Sequence, residues 1–127
     1  MAKILIVDDE KEIRGFLSRV VERLGHEAVE AADGMAALDV YHKEEIDLAF
    51  VDITMPKMGG IEYLEKIIAE DPAAVIIIMT GYPSADTIIK TIEDDGYTYI
   101  AKPFTVDLIE DLIARGLSAR KSRLHKQ

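Results

Sequence analysis

The sequence predicts an α/β protein built on a doubly wound, five-stranded parallel sheet. Three short runs of consecutive apolar residues, at 4–7, 48–51 and 75–79, are typical of strands that are buried on both faces. Amphipathic stretches with helical i, i+3, i+4 spacing lie between these runs. Because strands joined by helical crossovers of this length pack side by side in the same direction, the predicted element order is (βα)₅.

Two weaker strand candidates, Glu27–Ala31 and Thr98–Ala101, complete the five strands, and a predicted helix follows each strand. The first helix is expected to end at Gly25, which suits the left-handed position after a helix. Ser84 and Thr105 are suitable N-caps for the fourth and fifth helices. The apolar helix residues expected to face the core are Ile13, Phe16, Leu17, Val20, Val21, Leu24, Met35, Leu38, Tyr41, Ile61, Leu64, Ile67, Ile68, Ala85, Ile88, Ile89, Ile92, Leu108, Ile109, Leu112 and Ile113.

The composition is that of a single globular domain, and it excludes several kinds of site. The chain has 127 residues, of which 49% are hydrophobic, enough for a packed core. Its net charge of −9 argues against direct nucleic-acid binding. The absence of cysteine excludes disulfides and thiolate metal sites. The first apolar run is too short for a signal peptide or a membrane span, so we predict no membrane association and a cytoplasmic location.

Chemically active side chains follow four of the predicted strands. Asp8–Asp9–Glu10 follows the first strand, Asp52 ends the third, Thr80–Gly81 ends the fourth and Lys102–Pro103 follows the fifth. In a doubly wound sheet the functional site lies beyond the carboxyl ends of the strands. The sequence therefore predicts that three carboxylates, a hydroxyl and an ammonium group meet at one edge of the sheet.

These groups suit phosphoryl chemistry assisted by a hard cation. Carboxylates packed together repel one another and raise each other's pKa unless a cation lies among them. Oxygen ligands without thiolate favour Mg²⁺, which takes one or two carboxylates and keeps waters that a phosphate can replace. A nearby lysine can balance the charge of a phosphoryl group, a threonine hydroxyl can donate to it, and a carboxylate can attack phosphorus.

Each feature has an ordinary structural explanation when it is taken alone. An aspartate pair after a strand is often a helix N-cap. Thr80 could begin a turn, and a residue before proline, such as Lys102, prefers extended geometry. His26, His42 and His125 are scattered, which is typical of solvated histidines. The functional interpretation is favoured because four separate strand ends carry the groups that one chemistry needs.

Four segments of the sequence resemble the receiver domains of bacterial response regulators. They are ILIVDDE at 4–10, DITMPKMGG at 52–60, MTG at 79–81 and YIAKPF at 99–104. The resemblance runs from Lys3 to about Ala119 and implies a flavodoxin-like receiver fold with strand order 2-1-3-4-5. It implies a receiver domain over 1–120, with 121–127 as a basic C-terminal tail or the start of a linker.

The resemblance also implies a role for the residues at the predicted edge. Asp52 would be the phosphoacceptor. Mg²⁺ would be ligated directly by Asp9, with Asp8 assisting largely through water. Asp52 and the backbone carbonyl of Thr54 would be further metal ligands. Lys102 would pair with the phosphoryl group.

Further roles concern the response to phosphorylation. Thr80 would bind a phosphoryl oxygen and be drawn inward, and Tyr99 would be the aromatic switch residue that follows it. The Lys102–Pro103 bond would be cis, and the surface that changes would be the face of the fourth helix, fifth strand and fifth helix. Many receivers have Gly-Ala four and three residues before the aromatic position, where this chain has Asp95 and Gly96. The resemblance therefore does not extend to partner recognition at that corner.

The function implied is a phosphorylation-activated switch of a two-component phosphorelay. It is not a conventional enzyme, since a receiver catalyses only its own phosphorylation and dephosphorylation. The implied partners are a histidine kinase or phosphotransfer protein as the donor and an output domain or effector protein as the target, and a phosphorylation-dependent homodimer is also open. The basic residues near the C-terminus suit the helix dipole, and we expect them to be solvated rather than to bind nucleic acid.

Three other functions are compatible with the same predicted architecture. A Mg²⁺-dependent phosphatase usually has a second acid two residues after its nucleophile, where this chain has Thr54, and the chain lacks the length for a cap domain. A flavin- or nucleotide-binding module needs a glycine-rich or hydroxyl-rich loop after the first strand, and Asp8–Asp9–Glu10 has the wrong charge. A pseudo-receiver would lack Asp52 or Lys102, and both are present.

Overall fold

The computed structural model describes residues 1–55, 57–81 and 98–125. Within these residues, five strands and four helices follow one another in the predicted order, while the predicted fourth helix at 84–92 and the pair at 95–96 lie outside the described residues. The elements are β1 (Lys3–Val7), α1 (Lys11–Arg23), β2 (Glu27–Ala31), α2 (Gly34–Lys43), β3 (Leu48–Asp52), α3 (Gly60–Glu70), β4 (Ile76–Thr80), β5 (Thr98–Ala101) and the C-terminal helix (Val106–His125).

The five strands form one parallel sheet in the order β2-β1-β3-β4-β5, which confirms the predicted fold class and strand order. The chain moves from β1 outward to β2 and then returns to β3 on the other side of β1. In doubly wound sheets this reversal leaves a crevice outside the carboxyl ends of the two strands that flank it. Here the flanking strands are β1 and β3.

The side chains of the central strands alternate between two hydrophobic cores, one on each face of the sheet. In β1, Leu5 and Val7 pack with residues of α2 and α3, whereas Ile4 and Ile6 pack with residues of α1 and the C-terminal helix. Both faces are therefore covered, which is why the strand sequences are continuously apolar rather than alternating. Each fully buried aliphatic side chain stabilises the fold by about 1.5–3 kcal/mol.

The two predicted helix boundaries that fall in the described residues are confirmed. Gly25 follows the C-cap of α1 with φ of 88°, the left-handed conformation that favours glycine. Thr105 caps the C-terminal helix, since its Oγ1 accepts a hydrogen bond from the backbone N–H of Leu108 at 3.2 Å. Local side-chain chemistry therefore sets where these helices begin and end.

Three apolar helix residues that were expected in the core are exposed instead. Leu24, Met35 and Leu108 expose between 38% and 49% of their surface. Met35 lies next to buried Gly34, and Leu108 lies next to buried Ile109. Because each residue turns about 100° around a helix axis, a neighbour of a buried position can face solvent. The prediction was wrong for these three residues, since spacing identifies a helix face only approximately.

Polar contacts attach the C-terminal helix to the rest of the fold. Asp71, the C-cap of α3, accepts hydrogen bonds from Tyr41 Oη and Arg120 Nη1, each at 2.8 Å. Arg123 Nη1 donates to the carbonyl oxygen of Ala74. Burial raises the pKa of Asp71, but the hydrogen bonds from Tyr41 and Arg120 outweigh burial and hold the pKa below its ordinary value. The expectation that the basic residues are solvated is wrong for these two arginines.

Two helical glycines should respond in opposite ways to alanine. In Gly60, the first residue of α3, an added Cβ would lie 2.5 Å from the Asp52 carbonyl oxygen and 2.8 Å from Ile53 Cα. We expect Gly60→Ala to lower the free energy of unfolding by about 1–3 kcal/mol, because backbone must move. Gly15, inside α1, has only the flexible Arg19 side chain at 3.5 Å. Gly15→Ala should raise stability by about 0.5–1 kcal/mol. Urea denaturation measures both, and equal effects would contradict the packing argument.

Candidate functional site

The register of the sheet brings the predicted site residues to one edge. Val7 pairs with Val51, so Asp8 and Asp52, the next residues along, are neighbours. Thr80 pairs with Ala101, which places Thr80 beside Lys102. All four follow or end strands of a parallel sheet, and their shared edge lies at the crevice between β1 and β3.

Three aspartates form a compact acidic cluster at this edge. Asp8, Asp9 and Asp52 each offer one carboxylate oxygen, and these oxygens lie within 4.8 Å of one another. The three residues differ in environment, because Asp8 is fully buried, Asp52 is 8% exposed and Asp9 is exposed. The cluster is therefore open to solvent on the side of Asp9.

Lys102 follows β5, the strand at one end of the sheet, and its side chain reaches the cluster beside β1 and β3. Its Nζ lies 2.8 Å from Asp8 Oδ2 and 3.5 Å from Asp52 Oδ2. The backbone N–H of Lys102 donates to the carbonyl oxygen of Thr80 at 2.8 Å, which extends the pairing of β4 and β5. The Lys102–Pro103 peptide bond is cis, as the resemblance predicted. The ammonium group is thus held between two of the three carboxylates.

Backbone amides hold the remaining oxygens of the two buried aspartates. Asp8 Oδ1 accepts a hydrogen bond from the N–H of Glu10 at 2.8 Å, so both oxygens of Asp8 have partners. Asp52 Oδ1 accepts from the N–H of Thr54 at 3.3 Å. The resemblance pointed to the carbonyl of Thr54, and the sequence analysis missed its amide, although an aspartate commonly accepts a hydrogen bond from the backbone N–H two residues further on.

The site has more acidic groups than basic groups, and this affects the pKa values of Asp52 and Lys102. Burial and the negative charge of Asp8 raise the pKa of Asp52, and Lys102 only partly offsets them. Burial lowers the pKa of Lys102, but its hydrogen bond to Asp8 and the charges of both aspartates reverse this and leave the pKa raised. Lys102 therefore stays protonated at neutral pH. One cation faces three carboxylates, so the site has an excess of negative charge.

The donor set fits a hard divalent cation such as Mg²⁺. Three carboxylate oxygens close together, without a nitrogen or sulfur ligand among them, match the preference of Mg²⁺ for oxygen. Asp9 is the exposed member and Asp52 keeps a small exposed surface, whereas Asp8 is fully buried and both its oxygens already accept hydrogen bonds. This difference suits the predicted division between direct ligands and a ligand that acts through water. The metal-binding role of the Thr54 carbonyl stays a prediction.

The two predicted switch residues lie on neighbouring parts of β4 and β5. Thr80 ends β4 and is 5% exposed. Tyr99 lies in β5 opposite Ile78 and packs, half-buried, against the core beneath α2 and α3. Thr80 therefore lies at the edge of the site, whereas Tyr99 lies further from the site and pairs with Ile78 of β4, the strand that Thr80 ends. Their roles as switch residues stay predictions.

A groove adjoins the site on the side of α1. It has a volume of about 490 Å³ and lies between α1 and the segment after β5. Phe16 and Phe104, which both line the groove, stack with ring centroids 6.0 Å apart, and Lys102 is another lining residue. The sequence showed Phe16 only as a core residue of α1. Its exposure to a groove depends on how the helix packs against the segment after β5.

Comparison with known proteins identifies the family. Residues 4–114 match the response regulator receiver domain. Sporulation initiation phosphotransferase F of Bacillus subtilis is 39% identical over 120 residues, which cover 94% of this chain and 97% of the relative. Transcriptional regulatory protein YxdJ of the same organism is 36% identical over 109 residues, 86% of this chain and 47% of the relative. A CheY-like receiver domain protein from Methanospirillum hungatei has a TM-score of 0.89 and 30% identity, covering 96% of this chain and 98% of that chain.

The chain belongs to the response regulator receiver domain family of two-component signalling. This membership confirms the family and the CheY-like fold that the motifs implied. It also places the chain among signalling modules rather than conventional enzymes. The chain spans nearly all of one relative and about half of another, so the family occurs both at this length and within longer proteins.

Neutralising Asp52 should stabilise the protein in the absence of metal. Burial and the charge of Asp8 raise the folded-state pKa of Asp52, so ionised Asp52 lowers the free energy of unfolding when the pH is above that pKa. This loss of stability disappears as the pH falls below the unfolded-state pKa. Asp52→Asn cannot ionise and should melt at a higher temperature than wild type at pH 7 in EDTA. The difference should vanish below about pH 4. Mg²⁺ should raise the melting temperature of wild type more than that of the mutant.

The control for this experiment is Asp39→Asn, which removes an exposed aspartate of α2. It changes the net charge equally but lies outside the cluster. A lower melting temperature for Asp52→Asn than for wild type at pH 7 in EDTA would rule out a strained acidic cluster.

Removing Lys102 should destabilise the fold because it leaves a buried carboxylate without its cation. Asp8 is fully buried, and the Lys102 side chain is 20% exposed. We expect Lys102→Met to lower the free energy of unfolding by about 3 kcal/mol in urea denaturation. Lys57→Met is the matched control, since Lys57 makes a 3.6 Å surface pair with Asp33 and should cost below about 1 kcal/mol. Similar losses for the two variants would mean that the Asp8 pair contributes no more than a surface pair.

Proposed function

We propose that this chain is a phosphorylation-activated switch that accepts a phosphoryl group on Asp52. The donor would be the phosphohistidine of a histidine kinase or phosphotransfer protein. The observation that carries the proposal is the placement of the Asp52 carboxylate, which lies at an open edge beside Lys102 and two further carboxylates. Neither a helix cap nor a structural ion pair requires this combination of groups.

Asp52 is suited to attack phosphorus. One carboxylate oxygen would form the new O–P bond while the N–P bond of the phosphohistidine breaks, and the imidazole would leave with that electron pair. The N–H of Thr54 holds Oδ1, and Lys102 faces Oδ2, so the carboxylate plane is fixed before the donor arrives. Fixing the nucleophile in this way lowers the entropic cost of the reaction.

Lys102 and the acidic cluster would control the charge that phosphorylation adds. The Lys102 ammonium can turn from Asp52 to a phosphoryl oxygen while it keeps its 2.8 Å hydrogen bond to Asp8. Thr80, by family resemblance, would bind another phosphoryl oxygen. Mg²⁺ bound by Asp8, Asp9, Asp52 and the Thr54 carbonyl would neutralise the charge of both the cluster and the incoming group.

The output would pass through the surface that includes β5 and the C-terminal helix. Tyr99 in β5 pairs with Ile78, two residues before Thr80, so a movement of Thr80 can reach Tyr99 through one strand pair. The predicted fourth helix, which completes this surface, lies outside the described residues. The target would be an output domain or an effector protein, and a phosphorylation-dependent homodimer is a further form to test.

The relatives support the transfer chemistry rather than a particular pathway. One is named as a phosphotransferase, and from that name we carry over phosphoryl transfer alone. Another is named as a transcriptional regulatory protein and is about twice as long as the matched region. Its name therefore describes the whole of that longer protein, and we carry no transcriptional role over to this chain. In the described parts of the chain, no helix is long and apolar enough to cross a membrane. The cytoplasmic location and the absence of direct nucleic-acid binding stay predictions.

Phosphorylation of Asp52 can be tested with a small phosphodonor. With acetyl phosphate and Mg²⁺, the intact mass of the wild-type chain should increase by one phosphoryl group. Asp52→Asn should show no increase because an amide cannot form the acyl phosphate, and EDTA should block the reaction of wild type. The exposed-residue control Asp39→Asn should react like wild type. Labelling of Asp52→Asn at the wild-type level would overturn the assignment of the phosphoacceptor.

A further inference from the structure

A side chain of α1 holds the turn that carries the first two aspartates. Arg14 Nη1 donates a hydrogen bond to the backbone carbonyl oxygen of Asp8 at 2.7 Å. This carbonyl belongs to the peptide unit that joins Asp8 to Asp9, so Arg14 contacts the backbone between two candidate metal ligands. The Arg14 side chain is 16% exposed, which limits the directions from which it can make this contact.

Two further residues fix the orientation of Arg14. Its Nε lies 3.2 Å from Glu30 Oε1, and the other oxygen of Glu30 accepts a hydrogen bond from Ser18 Oγ at 2.9 Å. The guanidinium is a planar group with rigidly spaced donors, so holding Nε at Glu30 also aims Nη1 at the Asp8 carbonyl. Glu30 lies opposite Ile6 in the sheet, next to the end of β1. The three side chains therefore form a brace between α1, β2 and the turn after β1.

The brace matters most for Asp9, whose side chain has no such support. Within residues 1–55, 57–81 and 98–125, the Asp9 carboxylate makes no hydrogen bond or ion pair, whereas the Asp8 carboxylate is held by Glu10 and Lys102. The position of the Asp9 carboxylate thus depends on the backbone of the turn. Arg14 holds that backbone at the peptide unit immediately before Asp9.

The pairing with Glu30 also suits a site that binds a cation. An unpaired guanidinium beside the acidic cluster would repel a divalent cation. Glu30 supplies a compensating negative charge, so Arg14 can act as an oriented hydrogen-bond donor without adding a full positive charge to the site.

We propose that Arg14 is a positioning residue for metal binding. It sets the orientation of the Asp8–Asp9 peptide and thereby places the Asp9 carboxylate where Mg²⁺ binds, and Glu30 and Ser18 hold Arg14 in place. This inference rests on the proposed function, because it assigns a supporting role at the same site. It predicts that loss of Arg14 weakens Mg²⁺ binding although Arg14 is not itself a ligand.

Titration calorimetry of the unphosphorylated chain with MgCl₂ tests this directly. Groups that orient metal ligands contribute about tenfold or more to metal affinity, so the Kd of Arg14→Met for Mg²⁺ should rise by about tenfold. Arg19→Met is the matched control, since Arg19 is an exposed arginine of the same helix and its loss changes the net charge equally. General electrostatics would make both variants bind Mg²⁺ slightly more tightly, which is opposite to the effect expected for Arg14→Met.

Phosphorylation kinetics separate positioning from a general loss of structure. With acetyl phosphate, the Mg²⁺ concentration for half-maximal rate should rise in Arg14→Met by about the same factor as the Kd. The rate at saturating Mg²⁺ should stay within about twofold of wild type, because Asp52 and Lys102 are unchanged. Arg14→Lys keeps one charged donor but cannot bridge the carbonyl and Glu30 together, so its Kd should lie between those of wild type and Arg14→Met. Should Arg14→Met fail to fold by circular dichroism, Arg14→Lys carries the same test.

The outcomes distinguish this inference from the proposed function. Equal Mg²⁺ affinities for Arg14→Met, or for Arg14→Lys where it stands in, and Arg19→Met would overturn the role of Arg14, whether or not wild type becomes phosphorylated. Failure of wild type to gain a phosphoryl group, with Mg²⁺ binding still weakened in the Arg14 variant, would overturn the proposed function and leave the positioning role intact.

Discussion

The Asp8 carboxylate has no exposed surface, and burying a carboxylate is costly unless it has a cation or several hydrogen-bond donors as partners. Both its oxygens have donors, one from the adjacent turn and one from Lys102, which is 94 residues away in sequence. In the sheet, β3 and β4 lie between β1 and β5, the strands that these two residues follow. The ion pair therefore forms only when four strands are aligned in register. Much of the remaining structure can be understood as what keeps these two strand ends at the same edge.

The same pair leaves the rest of the site short of positive charge. Lys102 is already committed to Asp8, and at 3.5 Å it compensates Asp52 only in part, so the pKa of Asp52 is raised. The third carboxylate, Asp9, adds electrostatic repulsion at this position and therefore does not stabilise the fold. The imbalance suits an edge where a cation is expected to bind, because a cation offsets the repulsion among the carboxylates.

The two edges of the sheet are organised differently. At the carboxyl edge, the acidic cluster is open to solvent on the side of Asp9, and a groove lies beside Phe16. At the amino edge, Asp71 joins Tyr41 of α2 to Arg120 of the C-terminal helix, which ties three elements together. The polar network that anchors the C-terminal helix thus lies away from the reactive edge. This separation allows the reactive edge to change its charge without loosening the contact that anchors the C-terminal helix.

The sequence by itself determined the elements whose signals are local. Continuous apolar runs marked the buried strands, Gly25 and Thr105 marked helix boundaries, and the polar residues after the strands marked the edge where the site lies. The motifs then identified the family. All of these signals depend on the type and spacing of residues that are close in sequence, so they can be recognised without knowing which distant residues meet in the fold.

Only the tertiary structure decided how the members of the site differ from one another. Asp8 and Asp9 are adjacent and chemically identical, yet one is buried against Lys102 and the other is exposed. In the sequence, Arg14 is an ordinary polar residue of an amphipathic helix. Its contact with the Asp8 carbonyl is supported by Glu30, which lies in β2. Burial and pairing of this kind arise from sheet register and helix packing, which join residues that are far apart in the chain and leave no local pattern.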